Sequence, residues 1–437
     1  MPQDTLATTQ DLFTNFYTFE GVVRALNGVN IVVRHGETYG LVGESGCGKS
    51  VTVRSMMRIV QAPGKIDSGS IFVFLNPEDR LKAIEIVHRS EAYMESIRGC
   101  DISMIFQEPA AALNPVLSIG EQVAESYRFH LNDRMLEETL KALEGKRGHG
   151  LQRALFRREL AAIHRRDARL QRIDNELYPL DGRDDPEARS RKAQLSRMRD
   201  RTGGTDALVQ VARRFPFLRL YRRRLERTVH GHVVELLRSL GIPNPENVAE
   251  RYPHELSGGM QQRIVIAIAL ACHPTLLIAD EPTSNLDVTI QAQIVDLIKQ
   301  LKKTAISSVL FITHDLGLVA ETCDRVTVMY AGDVCETAAV KELFKRPLHP
   351  YTKGLLNSVP KVEQAEELAM IPGAVPNLIA PPTGCRFHPR CPSRMPICVT
   401  EKPAVVEHTA DHWVACHLYP KAAGSERSDP ERSGPHD

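Results

Sequence analysis

Short apolar runs alternate with longer amphipathic stretches along most of this chain. TYGLV at residues 38–42, LLIA at 276–279, SVLFIT at 308–313 and RVTVMY at 325–330 each read as a buried strand. Residues 50–60, 260–272 and 288–303 carry apolar positions at helical spacing, and 111–130 opens another helical region. ALNGVNIVVR at 25–34 predicts a turn at Asn27-Gly28 followed by an alternating strand. Strands and helices that alternate in this way predict an α/β core around a largely parallel sheet. After about residue 341 the chain turns Pro-rich and loop-like, and its last residues, 421–437, read as disordered.

The stretch from 131 to 230 breaks the rhythm. It holds 25 Lys and Arg against 15 Asp and Glu at helical spacing, densest in RRFPFLRLYRRRLER at 213–227. This predicts an extended helical hairpin. Its basic face suits water, anionic lipid headgroups or an acidic partner surface.

Composition narrows the class. The 437 residues suffice for more than one domain. The formal net charge of +1 argues against a molecule that holds nucleic acid by overall charge. No apolar run reaches the roughly 18 residues a spanning helix needs. The start of the chain lacks a basic region followed by an apolar one, so a cytosolic protein is expected.

Four segments carry chemistry. GESGCGKS at 43–50 follows a predicted strand and opens a predicted helix. Gly43, Gly46 and Gly48 let the backbone wrap phosphates, and the helix N-terminus points at the anion. Lys49 supplies positive charge to the β- and γ-phosphates, and the Ser50 hydroxyl suits a Mg²⁺ ion. LLIADEP at 276–282 ends an apolar strand in two carboxylates. Asp280 is placed to hold Mg²⁺, and Glu281 to act as general base on water. LSGGM at 256–260 puts Ser257, Gly258 and Gly259 ahead of a helix, a second anion site. His314 stands alone in ITHD.

In this order the segments resemble the ATP-binding subunit of an ATP-binding-cassette (ABC) transporter. The resemblance spans roughly residues 10–130 and 231–418 and omits the basic stretch. It implies an ABC-type P-loop NTPase core with an antiparallel β subdomain and a helical subdomain, within residues 1–340. The stretch 131–230 becomes a helical insertion, and 341–420 a small C-terminal extension. The resemblance implies that Gln107, in MIFQEP, touches Mg²⁺ and water, and that His314 contacts the γ-phosphate. It implies that Ser257, Gly258, Gly259 and Asp287 reach the nucleotide of an opposing subunit. Ser45, Cys47 and Val51 join the cradle, and Phe16 stacks on adenine, with Tyr17 and Phe19 as rivals. Met260 stands where the family usually has Gln, and Asn285 where Ala is commoner.

The tail sharpens the match. PLHPYTKGLL at 347–356, IPGAVP at 371–376 and PPTGCRFHPRC at 381–391 resemble the C-terminal extension of oligopeptide and dipeptide importer ATPases. That resemblance implies ATP-driven dimerisation with a second ABC ATPase, identical or related. It also implies two transmembrane permease subunits, an extracytoplasmic substrate-binding protein and residence at the cytoplasmic face of the membrane. Cys385, Cys391, Cys398 and Cys416 have the spacing C-x5-C-x6-C-x17-C. Four thiolates can hold an iron–sulfur cluster or zinc, or remain free; the family resemblance implies a [4Fe–4S] cluster. The alternative function is a soluble ABC ATPase acting on nucleic acid, prompted by the basic stretch. The single cassette and the HPYTKGLL tail speak against it.

Overall fold

The computed structural model describes residues 4–75, 83–144, 149–177, 185–202, 219–284, 286–304, 306, 308–358 and 371–420. Two sheets organise it. Strands β1 (Thr5–Thr18), β2 (Gly21–Arg34), β4 (Gly64–Val73) and β5 (Ile84–Glu85) form an antiparallel sheet in the order β2-β1-β4-β5. Strands β3 (Thr38–Val42), β6 (Ile102–Ile105), β7 (Leu276–Asp280), β8 (Ser308–Ile312) and β9 (Arg325–Tyr330) pair in parallel. Every residue of those five strands is buried. A parallel strand is covered by helices on both faces, so its sequence is a continuous apolar run rather than an alternating one.

Asn27-Gly28 is not a turn. β2 runs through it, and the extra residue, Gly28, bulges from β2 between the pairs Leu12–Val29 and Phe13–Asn27. Gly28 takes φ +77, the left-handed backbone that Asn-Gly favours, inside the strand.

The tail is more regular than its Pro-rich sequence predicts. Strand β10 (Asp333–Ala339) pairs antiparallel with β9, and the hairpin β11 (Val405–Thr409) and β12 (His412–Ala415) adds to β10. The large sheet therefore reads β11-β12-β10-β9-β3-β8-β7-β6. Val326, Val328, Tyr330, Tyr351 and Phe387 share one apolar cluster, so the tail packs as part of the nucleotide-binding core. Two strands of five and four residues, one largely exposed, give too little periodicity to be seen from sequence.

The helix Pro350–Asn357 shows what HPY does. His349 caps it, its Nδ1 accepting from the Tyr351 N–H at 3.0 Å, while its own N–H donates to Glu336 at 2.9 Å. The imidazole is fully buried, which pushes its pKa down to about 4. The unfolded chain therefore binds this proton between roughly pH 6.5 and 4, and the folded chain does not. Stability from this group is present at neutral pH and lost as pH falls through that window. We expect about 2 kcal/mol less stability at pH 5 than at pH 7 from His349 alone. Denaturant melts at both pH values check it. His349→Asn keeps a capping side chain without the titration, so it should narrow the difference by that amount.

In the basic stretch, helix Gly150–Leu177 packs on helix Pro186–Thr202, and Ile173, Leu177 and Leu195 form a small core between them. This is the helical hairpin that the spacing predicts. The following helix, Arg219–Ser239, sends Leu225, Val229, Val233 and Leu237 into the larger helical core beside Phe156. Residues 213–218 and the tail 421–437 lie outside the described residues.

Candidate functional site

The phosphate loop runs from the end of β3 into helix Lys49–Met56. Close approach, rather than flexibility, demands glycine at its first position. A Cβ on Gly43 would lie 2.2 Å from the Met329 carbonyl oxygen of β9, and φ there is +154. Gly48 has φ +102, and its Cβ would meet the Ala25 carbonyl at 2.9 Å. Lys49 is buried, its Nζ donating to the carbonyls of Gly43 at 2.8 Å and Glu44 at 3.0 Å. The ammonium thus sits curled over the loop that a phosphate would fill.

A cavity of about 610 Å³ opens above this loop. Ser45, Gly46, Gly48, Lys49, Ser50 and Val51 line one side of it, and Gln107, Glu281 and His314 another. Phe16, Val23 and Ala25 form an apolar wall. Phe16 is the aromatic brought to the cavity. Tyr17 instead donates its hydroxyl to Asp67 at 2.8 Å, and Phe19 is fully exposed. Cys47 and Gly43 are buried beneath the loop rather than in the cavity wall; the Cys47 carbonyl accepts from the Gly332 N–H at 2.9 Å.

Asp280 ends β7 beneath the loop. Its Oδ1 accepts from the Ser50 hydroxyl at 2.9 Å. Its Oδ2 is buried with no hydrogen-bond partner, and burial raises its pKa. A buried carboxylate oxygen without a donor is costly unless a cation meets it. The Ser50 hydroxyl and Asp280 Oδ2 are the oxygen donors that Mg²⁺ prefers, and Gln107 lines the same cavity, so these residues fit that ion.

Glu281 follows at the strand end with φ +47, a left-handed backbone that a non-glycine residue adopts at a cost of about 1 kcal/mol or more. That bend turns its carboxylate away from the core. Oε2 accepts from Gln107 Nε2 at 3.1 Å, and Oε1 lies 3.4 Å from His314 Nδ1. Gln107 and His314, distant in sequence, thus converge on one carboxylate at the cavity edge. The arrangement can bind a polyphosphate, hold a divalent cation beside it and accept a proton from water.

Ser257, Gly258, Gly259 and Asp287 do not reach this cavity. They line a second one of about 420 Å³ with Met260, Arg263, Leu286 and Ile290. The Asp287 carboxylate accepts from the Ile290 N–H at 2.9 Å, capping the helix Val288–Thr304. Asn285 lies outside the described residues.

Leu378, from the C-terminal extension, lines the first cavity beside Phe16, and its carbonyl accepts from the Arg24 N–H at 2.9 Å. Nothing in the local sequence marks it, because its partner strand lies more than three hundred residues earlier in the chain.

The four tail cysteines are neighbours. Burial pushes the Cys385 thiol up to about 12, with Cys398, Cys416 and Cys391 adding to the shift. Burial also raises Cys391 and Cys416. Cys385 and Cys391 pack against the apolar cluster around Tyr330 and Phe387. Among the described residues, no three His, Cys, Asp or Glu side chains are arranged to hold a metal ion. The expected [4Fe–4S] cluster, and zinc in its place, therefore find no support in this arrangement.

Comparison with known proteins adds to this geometry. Residues 26–284 match the ABC transporter family, and residues 335–398 match the oligopeptide/dipeptide transporter C-terminal region. The chain is 38% identical to the oligopeptide transport ATP-binding protein AppD of Bacillus subtilis, over 97% of this chain and 99% of the relative. It is 38% identical to a probable peptide ABC transporter ATP-binding protein, y4tR, of Sinorhizobium fredii, over 94% of this chain and 95% of that protein. It is 37% identical to the dipeptide transport ATP-binding protein DppD of Bacillus subtilis, over 95% of each chain.

Proposed function

Because this chain belongs to the ABC transporter family of ATP-binding proteins, with the C-terminal region of its oligopeptide/dipeptide branch, we propose that it hydrolyses ATP to power peptide import. The observation that carries the chemistry is the convergence of Ser50–Asp280 and Gln107–Glu281–His314 around one phosphate cradle. Mg²⁺ held by Ser50, Asp280 and Gln107 would neutralise charge on the phosphates. Lys49 grips the β- and γ-phosphates in place of the carbonyls it now meets. Glu281 accepts the proton of the attacking water, with Gln107 and His314 fixing its two oxygens.

The second cavity gives a reason for dimerisation. Ser257, Gly258 and Gly259 offer phosphate-binding groups, and with Asp287 they are held apart from the cradle of their own chain. A head-to-tail partner, a second ABC ATPase subunit, would bring its nucleotide to them. Closure of two such subunits on ATP moves the helical subdomains that face two permease subunits. No helix among the described residues is long and apolar enough to cross a membrane. Membrane association at the cytoplasmic face then comes through those permeases, and peptide delivery through a substrate-binding protein. No nucleic acid is needed, and the peptide-transport relatives do not favour the alternative of a nucleic-acid machine.

The test is ATP turnover by the chain assembled with its permeases in liposomes. A short peptide presented with its binding protein is expected to stimulate turnover severalfold and to accumulate inside. Stimulation by double-stranded DNA in a parallel arm, with none by peptide, would overturn the reading.

A further inference from the structure

The C-terminal extension holds the phosphate loop by one residue, Glu44, which stands between Gly43 and Ser45. The Glu44 N–H donates to the Tyr351 hydroxyl at 2.9 Å. Its carboxylate accepts both ends of the Arg390 guanidinium, from Nη1 at 2.7 Å and from Nη2 at 3.0 Å. Its carbonyl accepts from Lys49 at 3.0 Å. A single loop residue thus links the extension to the ammonium that grips phosphate.

Arg390 is itself tightly placed. It is 9% exposed, its Nε donates to the Pro372 carbonyl at 2.8 Å, and it stands 5.6 Å over the Tyr330 ring. Tyr330 meets Tyr351 and Phe387 edge-on at 4.7 and 5.1 Å. A guanidinium locked in this way presents a preformed fork to Glu44, and bidentate charged pairs are the strong hydrogen bonds. The far end of the loop is tied to the same region. The Gly332 N–H reaches the Cys47 carbonyl, and Arg386 donates to the carbonyls of Ala331 and Arg24.

Two physical consequences follow for a bound polyphosphate. A Glu44 carboxylate without Arg390 would be an uncompensated negative charge on the very loop that receives phosphates. A loop without its two anchors would have to be ordered at the moment of binding, which weakens binding. We propose that Arg390 and Tyr351 are positioning residues for the phosphate loop, so that the C-terminal extension sets the affinity for ATP. This deepens the ATPase reading above and rests on it.

The experiment measures the Kd of a ribose-labelled fluorescent ATP, with KM and kcat alongside, in the assembled transporter. Arg390→Gln is expected to raise Kd and KM about tenfold and change kcat less than about twofold, in keeping with one strong charged pair. In a Glu44→Gln background the same change should raise Kd less than about twofold, since no carboxylate remains to be compensated. A merely structural role for Arg390 would raise Kd equally in both backgrounds, and that result, or no rise at all, overturns the proposal. Tyr351→Phe removes one hydroxyl without touching charge and should raise Kd about threefold. If Arg390→Gln fails to assemble, unchanged affinity in Tyr351→Phe overturns the proposal by itself. Absence of turnover in the unaltered complex would instead strike the ATPase reading, while the binding measurement would still judge the clamp.

Discussion

Glu281→Gln is expected to slow ATP turnover by about 10²- to 10⁴-fold while ATP binding survives. Gln keeps the length and planarity of Glu, so the strand-end geometry and the left-handed bend at φ +47 can persist. What it loses is the capacity to take a proton. Gln107 Nε2, now a donor to Oε2 at 3.1 Å, would meet either an amide oxygen or an amide NH₂ with no use for it. His314, 3.4 Å from Oε1, is too exposed to be held in the place of the carboxylate. Because grip and proton transfer belong to different residues, the variant should close on ATP and stay closed. Single-turnover hydrolysis and retention of Mg²⁺-ATP check both halves. Turnover within about tenfold of the unaltered protein would mean that Glu281 is not the base.

Lys49→Ala should remove about 10²- to 10³-fold in kcat/KM, the usual effect of deleting one donor aimed at developing phosphate charge. Unlike the Glu281 change, this loss should appear in binding as well as in turnover. The ammonium now meets the carbonyls of Gly43 and Glu44, both on the loop, and deleting it removes that donor from Gly43 and leaves Glu44 with the Cys47 N–H at 3.3 Å. Lys49→Arg is expected to fail too. The side chain is only 5% exposed, and a planar guanidinium does not fit a slot shaped for a compact ammonium. Equilibrium binding of ATP with and without Mg²⁺ separates the grip of Lys49 from the metal site at Asp280. An Ala variant that bound ATP normally would remove Lys49 from the cradle.

The parts of the site that were legible early share one property: their chemistry needs residues consecutive in the chain. A phosphate loop must have its glycines and Lys49 within eight positions, because one stretch of backbone wraps the anion. Asp280 and Glu281 must follow a buried strand, because the strand aims them. Four of the five parallel strands were readable because full burial leaves an unbroken apolar signature; β6, only four residues long, was not. Pairing across the fold was not readable. β11 and β12 are too short to show a period, and their place on β10 depends on contacts such as Thr337 opposite Trp413. The Asn27-Gly28 pair carries a turn signal in any sequence, but here pairing with β1 leaves Gly28 as a bulge and keeps the strand running.

Local order along the polymer therefore specified the cradle, the two strand-end carboxylates, the alternating α/β core and the helical hairpin, since each is decided by neighbours within a few residues. Folding in three dimensions chose Phe16 over Tyr17 and Phe19, and placed Ser257 and Asp287 in a cavity of their own. It gathered the four tail cysteines, brought Leu378 to the cavity wall, and laid Tyr351 and Arg390 against the phosphate loop. Such contacts join segments some three hundred residues apart, as between Glu44 and Arg390. No spacing rule relates two positions at that separation; shape and charge complementarity across the assembled core does.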